Sequence, residues 1–307
     1  MTHLFYSAKA PPTAFMVCLR KPDLDTLAAA FLAGVQPDFN PLLVCLGDAP
    51  EHLLRNPSVL CLECGGSGQT HLANLDHHGG NEILPTAVEQ AMDLFWPAQN
   101  SLYTDRLHIL AEYAAFIDSA GQRGTPPLYS SPANLSALVS GMLSMHKTPE
   151  EAFRAGLKLL EQWVDTAAAP WDLTKVVSDF PVWRHYLAAH TVMRNALRAD
   201  ARHVVPFSTA IGPALALCSG SYGVHGLLRN LGAKVRLAVG LGHPYRYSIS
   251  VEPKDKPWLQ VLGNNLNAME PGWGGPSGGS ILGAPFPGSR LELATVIELM
   301  THNPLHI

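Results

Sequence analysis

Charged residues are scarce in this sequence: they occupy 15% of its 307 positions, against 47% for hydrophobic residues. That balance excludes an intrinsically disordered chain, because such chains combine low hydrophobicity with high charge. Positive charge is not in excess either, since the formal net charge at pH 7 is −4. We therefore expect no binding of duplex DNA, which requires many cationic contacts to phosphates. A small nucleotide or a short single-stranded oligonucleotide stays compatible with this charge.

From the sequence we also expect no disulfide framework, no secretion signal and no membrane span. Its five cysteines are an odd set without framework spacing, which favours reduced thiols in a cytoplasmic protein. The first residues lack the apolar core of a signal peptide. The one long uncharged run, residues 204–224, contains Pro206, Pro213 and several glycines. It therefore predicts two short strands and a turn, and we expect no contact with a membrane.

Strand-like and helical patterns alternate in the first third of the chain. Residues 15–19, 41–46 and 59–62 are short apolar runs typical of buried strands, and residues 26–35 have a helical pattern. This order predicts an α/β fold with a parallel sheet. Ligands of such sheets bind beyond the carboxyl ends of the strands, so polar residues directly after a strand are candidates for a site.

The rest of the chain is predicted to be mainly helical between residues 87 and 197 and mixed from residue 203 onward. The mixed region holds strand candidates at 203–219, 234–241 and 245–252, a glycine-rich segment at 272–289 and a last helix at 291–300. We place a domain boundary near Asp200. The predicted domains are residues 1–198 and, smaller, residues 203–307.

Four segments carry carboxylates or histidines after an apolar run. In chain order they are Asp23 with Asp25, then Glu63, then the triplet Asp76, His77 and His78, and last Asp118. If the strands are parallel neighbours, these groups meet at one edge of the sheet. Carboxylates so placed raise one another's pKa unless cations neutralise them. Oxygen and imidazole ligands suit Mn²⁺, with Mg²⁺ or Fe²⁺ as the next candidates, and such ions promote hydrolysis of phosphate esters.

Each segment also has an ordinary interpretation. Asp23 or Asp25 could cap the helix that follows them. Glu63 could be a charge on an edge strand, and Asp118, which precedes Ser and Gly, could lie in a turn. The adjacent histidines could belong to any loop. The order of the four segments is therefore a stronger signal than any one of them.

That order (PDLD, an acid closing a strand, DHH, then FIDSAG) resembles the four motifs of DHH-superfamily phosphoesterases. The later region resembles their DHHA1 substrate domain, so the resemblance covers nearly the whole chain. It implies a parallel-sheet DHH domain with a helical part, a smaller α/β DHHA1-like domain, and an active site in the cleft between them. It also implies hydrolysis of a phosphodiester or phosphomonoester in a small nucleotide or short oligonucleotide.

The resemblance assigns metal-binding roles to five matching positions. Asp23 would bind one metal ion and Asp25 the other, and Glu63 would bridge the two ions. His77 and Asp118 would complete the second site. The implied cofactor is Mn²⁺, with Mg²⁺ or another divalent cation as the alternative.

The resemblance also assigns catalytic and substrate-binding roles. The predicted catalytic group is His78, Asp76 and His77: His78 would face the substrate phosphate, and Asp76 would orient a neighbouring histidine. Arg246 and the backbone of the glycine-rich segment would contact the substrate, although that segment could equally be a simple turn. The glycines in question are Gly274, Gly275, Gly278 and Gly279.

The sequence departs from the family pattern at three places. The family has a histidine four residues before its first aspartate, where this chain has Leu19, and Glu63 is one methylene longer than the usual Asp. The glycine-rich segment lacks the family histidine. His3, His52 and His71 could replace the lost ligand, although no spacing argument favours any of them. An altered substrate, a single-metal site and a weakened enzyme all stay open.

Other residues have weaker signals. Cys61 and Cys64 form a CxxC pair, but residues three apart on a strand point to opposite faces, so buried thiols are expected in place of a zinc site. Arg229 and Arg236 are expected to be solvated. Three aromatic residues could stack on a base, but at strand spacing they indicate core. They are Tyr245, Tyr247 and Trp273.

The sequence thus predicts a metal-dependent phosphoesterase, with two alternatives. The first is a degenerate member of the family that binds a nucleotide or phosphate without efficient hydrolysis, which Leu19 favours. The second is a structural or interaction protein, in which the acids are helix caps and surface charges. The substrate, the number of metal ions and the oligomeric state, a homodimer included, are left open.

Overall fold

A computed structural model describes residues 16–45, 47–78, 84–96, 102–123, 131–221, 223–275 and 279–304. The chain divides into two compact units, Met1–Thr191 and Val192–Ile307. The boundary predicted near Asp200 lies at the end of the helix that crosses this division. Among the described residues, no helix combines the length and the apolar character that crossing a membrane requires.

The first unit contains a four-stranded sheet in which all neighbouring strands are parallel, in the order β2-β1-β3-β4. Its strands are β1 (Met16–Leu19), β2 (Leu42–Val44), β3 (Val59–Leu62) and β4 (Asn74–Leu75). Its helices are α1 (Leu24–Leu32), α2 (Glu51–Leu54), α3 (Ala87–Phe95), α4 (Leu102–Arg123), α5 (Leu135–Met145), α6 (Pro149–Val164) and α7 (Pro181–Asp200), which runs into the second unit. The predicted α/β fold with a parallel sheet is confirmed.

Helix α1 is buried along its whole length, and this places the polar residues at its start inside the protein. Its nine residues LDTLAAAFL are small or apolar apart from Asp25 and Thr26, so all faces can pack against neighbouring helices. Gly156 of α6 allows one close approach, because a Cβ there would lie 2.5 Å from the Leu27 side chain. The carboxylate of Asp25 is therefore held at a fixed, buried position.

The second unit contains a five-stranded sheet in the order β5-β6-β7-β8-β9, in which β6 and β7 are parallel and the other pairs antiparallel. Apolar residues alternate along β7 and β8 and pack on α9 and α10 to form a separate core. The uncharged run 204–224 supplies β5 and β6, as predicted. The elements are β5 (Val205–Thr209), β6 (Gly212–Cys218), α8 (Val224–Asn230), β7 (Val235–Val239), β8 (Tyr247–Ser250), α9 (Lys256–Met269), β9 (Ile281–Gly283) and α10 (Leu293–His302).

Candidate metal centre

Three of the four predicted segments lie at the carboxyl edge of the parallel sheet. Asp25 is in the first turn of α1 behind β1, Glu63 directly follows β3, and His77 lies just beyond β4. Asp118 does not follow a strand, so that part of the prediction is wrong. The run AAFID belongs to α4, whose apolar residues Leu107, Leu110, Ala111, Ala114 and Ala115 recur at helical spacing and are buried.

The fold brings side chains of all four segments together. Ligand-type atoms of Asp25, His77 and Asp118 lie within 4.8 Å of one another, and so do those of Glu63, His77 and His78. His77 belongs to both groups: its Nε2 lies 3.1 Å from Glu63 Oε1 and 3.3 Å from Asp118 Oδ2. These are the only such groups among the described residues.

Two atoms at the centre of this cluster lack hydrogen-bond partners. Glu63 Oε1 and His77 Nε2 are both buried, and although they are 3.1 Å apart they form no hydrogen bond in this geometry. Leaving buried polar atoms unpaired costs about 1–3 kcal/mol each. A divalent cation would satisfy both atoms, and three carboxylates with one imidazole are a donor set that Mn²⁺ accepts. The residues therefore fit the predicted cofactor.

Asp25 is anchored from a distant part of the chain. Its Oδ2 accepts a hydrogen bond from the amide of Ala87 at 2.9 Å, and its Oδ1 accepts one from Val88 at 3.0 Å. These donors belong to the first turn of α3, where backbone N–H groups have no partner within the helix. Burial, followed by the negative charges of Glu63 and Asp118, raises the pKa of Asp25 well above its usual range.

Glu63 and Asp118 are shifted in the same direction as Asp25. Burial, followed by the charge of Asp23, raises the pKa of Glu63 well above its usual range. Burial also raises the pKa of Asp118, while the neighbouring His77 opposes the shift. The cluster thus disfavours its own ionised form, which is the electrostatic condition that a bound cation relieves.

Asp76 holds the DHH triplet in place. Its Oδ2 accepts a hydrogen bond from the backbone N–H of Gly65 at 2.6 Å, and its Oδ1 accepts one from the backbone N–H of His78 at 2.7 Å. The same Oδ1 lies 3.2 Å from Nδ1 of the His78 ring. Burial opposes ionisation of Asp76, yet these hydrogen bonds hold its pKa well below its usual range. Burial likewise opposes protonation of His78, but Asp76 and the charge of Glu63 outweigh it and raise the pKa of His78.

The capping interpretation is right for Asp23 and wrong for Asp25. Asp23 is the N-cap of α1, and its Oδ1 accepts the amide of Thr26 at 3.2 Å. It belongs to neither ligand group among the described residues. Asp25 lies within α1, and its carboxylate accepts hydrogen bonds from backbone N–H groups of α3. The metal-binding role of Asp23 stays a prediction.

Neither described histidine that was considered as a replacement for the one missing at Leu19 lies in a ligand group. Leu19 itself is fully buried in the core of the first unit. His52 lies on α2 and His71 on a short 3₁₀ helix, and neither belongs to a ligand group. His3 lies outside the described residues.

The predicted substrate contacts lie in the second unit and stay predictions. Arg246 is exposed. The amide of Gly274 donates to the Gly283 carbonyl at 3.1 Å, so it already has an acceptor. A Cβ on Gly275 would lie 2.1 Å from the Ile281 carbonyl oxygen, which shows a packing reason for that glycine. The two remaining positions are Gly279, which is described, and Gly278, which is not.

The structure also decides two weaker interpretations. Arg236 is fully buried and not solvated. It donates hydrogen bonds to Ser250 and Glu252, and the Glu252 carboxylate compensates its charge. Arg229 is partly exposed, as expected. Tyr247 and Trp273 are buried and stacked on each other, so the core interpretation is right for both.

The reasoning about the CxxC pair is wrong. Cys61 and Cys64 do not diverge but lie in one buried cluster with Cys18 and Cys45. The cause is Glu63, whose φ of 54° turns the chain between the two thiols. A strand continued through Glu63 would have placed the sulfurs on opposite faces. The thiols of Cys61 and Cys64 are buried, as expected, and so are those of Cys18 and Cys45.

Comparison with known proteins establishes the fold. No protein-family model and no curated protein sequence matches the chain. The solved structure of the pGpG-specific phosphodiesterase PggH from Vibrio cholerae is similar, with 12% identity, a TM-score of 0.53, and coverage of 89% of this chain and 92% of that one. At this identity the likeness shows a shared fold.

Two further solved structures align over most of this chain at lower TM-scores. A DHH domain described as belonging to a family of ribosomal proteins has 13% identity and a TM-score of 0.41, with 93% of this chain and 85% of that one covered. An uncharacterized protein from Helicobacter pylori has 15% identity and a TM-score of 0.34, with 94% and 99% covered.

Proposed function

We propose that the chain is a metal-dependent phosphoesterase related to the DHH superfamily. Its substrate would be a phosphodiester or phosphomonoester in a small nucleotide or short oligonucleotide. The observation that carries the proposal is the meeting of two ligand groups at His77, one with Asp25 and Asp118 and one with Glu63 and His78. Two buried ligand-type atoms of this cluster are left without hydrogen bonds. The fold shared with a structure described as a pGpG-specific phosphodiesterase supports a nucleotide as the substrate class.

Four side chains would hold the cation, with Mn²⁺ as the preferred ion and Mg²⁺ as the alternative. They are Asp25, Glu63, His77 and Asp118. When bound, the cation supplies positive charge that polarises the phosphoryl group and activates water. Asp25 accepts hydrogen bonds from two backbone N–H groups, and these bonds fix the direction in which its carboxylate points.

His78 would bind the phosphoryl group. Asp76 holds the Nδ1 side of the ring and favours the protonated imidazole, so Nε2 can donate a hydrogen bond to a phosphoryl oxygen. The His78 side chain is 34% exposed, which leaves it accessible to a substrate. Arg246, in the second unit, keeps in this proposal the phosphate-contacting role that the family resemblance implies.

A substrate panel tests the proposal. The purified chain with Mn²⁺ is incubated with pAp, linear and cyclic dinucleotides, pyrophosphate and polyphosphate, and the products are separated by ion-exchange chromatography. We expect turnover of a nucleotide that a chelator stops. His77→Ala should abolish it because the shared ligand is lost, whereas His71→Ala, at an exposed histidine outside the cluster, should retain it. Absence of turnover across the panel with Mn²⁺ bound would contradict the proposal.

Leu19 favours a second candidate, a protein that binds a nucleotide without hydrolysing it. Its buried apolar side chain supplies no ligand at a position where the family has one. This candidate predicts nucleotide binding in calorimetry together with no turnover in the panel. Turnover of any substrate in the panel would exclude it.

A further inference from the structure

Helix α3 connects two of the segments that supply the cluster. Its first turn donates two amides to Asp25, which follows β1. One turn further, Gln90 contacts the segment that follows β4 and carries the histidines. Helix α3 therefore holds both segments in one fixed relation, although its own side chains are not among the candidate ligands.

The side-chain NH₂ group of Gln90 donates two hydrogen bonds to backbone carbonyl groups. Its Nε2 donates to the carbonyl oxygen of Asp76 at 3.1 Å and to that of Pro85 at 2.7 Å. Both partners are carbonyl oxygens, which only accept hydrogen bonds, so the nitrogen of the carboxamide must face them. Gln90 thus ties together two points of the chain that lie on either side of His77 and His78.

The other end of the Gln90 carboxamide has no partner. Gln90 is 5% exposed, and its Oε1 is buried without a hydrogen bond. A buried unpaired oxygen is destabilising, and an apolar side chain of similar size would not have this cost. Glutamine therefore differs from methionine or leucine at this position by the two hydrogen bonds that it donates.

We infer that Gln90 is a positioning residue for the metal centre: it fixes the Asp76 peptide so that the His77 ring projects to the cluster. The inference rests on the proposed function, because it concerns a cation that the four ligands would hold. The Asp76 carboxylate also fixes this part of the chain, because it accepts hydrogen bonds from the backbone N–H groups of Gly65 and His78. Loss of the Gln90 bonds releases the peptide that immediately precedes the shared ligand.

The test measures Mn²⁺ affinity by isothermal titration calorimetry, without any substrate. Gln90→Met keeps the volume and removes both donated bonds, and Gln90→Glu keeps the shape but can no longer donate when ionised. We expect both variants to weaken Mn²⁺ binding about 10-fold or more, the usual effect of losing a group that orients a metal ligand. Met92→Ala is the matched control, since Met92 is buried on the same helix and belongs to neither ligand group.

The control separates positioning from general loss of stability. Met92→Ala should lower Tm and leave the Kd for Mn²⁺ unchanged, whereas the Gln90 variants should raise the Kd even at temperatures where circular dichroism shows a native fold. Equal Mn²⁺ affinity in wild type and folded Gln90 variants would overturn the inference and leave the proposed function intact. A wild-type chain that binds no Mn²⁺ would contradict the proposed function, and the inference with it.

Discussion

Asp118 is the candidate ligand at which metal binding and folding are easiest to separate. Burial and the charge of Asp23 raise its pKa, so its ionised form is disfavoured in the metal-free protein. We expect Asp118→Asn to leave the Tm of the metal-free chain unchanged or higher. We also expect it to lose most of the stabilisation by Mn²⁺, which for wild type is about 2.7 kcal/mol at 100 times the Kd. Thermal unfolding with and without Mn²⁺ measures both effects.

The control for this variant lies on the same helix. Asp105 is exposed in the first turn of α4, outside both ligand groups. Asp105→Asn should therefore keep the full response to Mn²⁺. A similar loss of response in both variants would show that the charge of the helix, and not a ligand, is responsible.

His225 makes the stability of the second unit depend on pH. Its ring nitrogens lie 2.9 Å from Ser248 Oγ and 3.0 Å from Ser250 Oγ. Burial, followed by the positive charges of Arg236 and Arg229, lowers the pKa of His225 from 6.5 to about 4. Between these values the unfolded chain binds the proton more readily, so the free energy of unfolding falls as pH falls from 6.5 to 4. The effect amounts to about 3 kcal/mol at most.

Urea unfolding across this pH range measures the dependence. His225→Gln removes the titrating group, so its free energy of unfolding should fall less steeply with decreasing pH than that of wild type. His203→Gln, at an exposed histidine, is the matched control and should follow wild type. Equal slopes for wild type and His225→Gln would contradict the assignment.

At the scale of elements, two adjacent glycines beside β9 have different requirements. A Cβ on Gly275 would lie 2.1 Å from the backbone oxygen of Ile281, whereas a Cβ on Gly274 would meet nothing within 4 Å. Gly275→Ala should destabilise the second unit by about 2 kcal/mol or more, because backbone must move, and Gly274→Ala should change stability by less than about 1 kcal/mol. Chemical unfolding of both variants measures the difference. Equal effects would contradict this account of the packing.

The elements themselves were predictable to different degrees. The apolar run 59–62 matches β3, and the run 204–224 gives β5 and β6, since glycine and proline mark the turn between them. The helical pattern predicted between residues 87 and 197 includes the run AAFID, which does lie in α4. Only the expectation that Asp118 follows a strand-like run was wrong, because four apolar residues fit a buried strand or a buried helix equally well.

At the scale of the whole molecule, long-range contacts explain what the sequence did not reveal. The order of motifs identified Asp25, Glu63, His77 and Asp118, and the structure brings them together. Nothing near Asp25 in the sequence indicates that its carboxylate accepts amides more than 60 residues away. Gln90 was missed for the same reason, since its partners become neighbours only after α3 packs beside β4.

The direct test of the central claim is a crystal structure of the chain soaked with Mn²⁺, with diffraction data collected on both sides of the Mn absorption edge. We predict an anomalous difference peak bonded to Asp25, Glu63, His77 and Asp118 at about 2.0–2.6 Å, the range for such cations. An occupied Mn²⁺ site elsewhere, with these four side chains bound to no metal, would contradict the account.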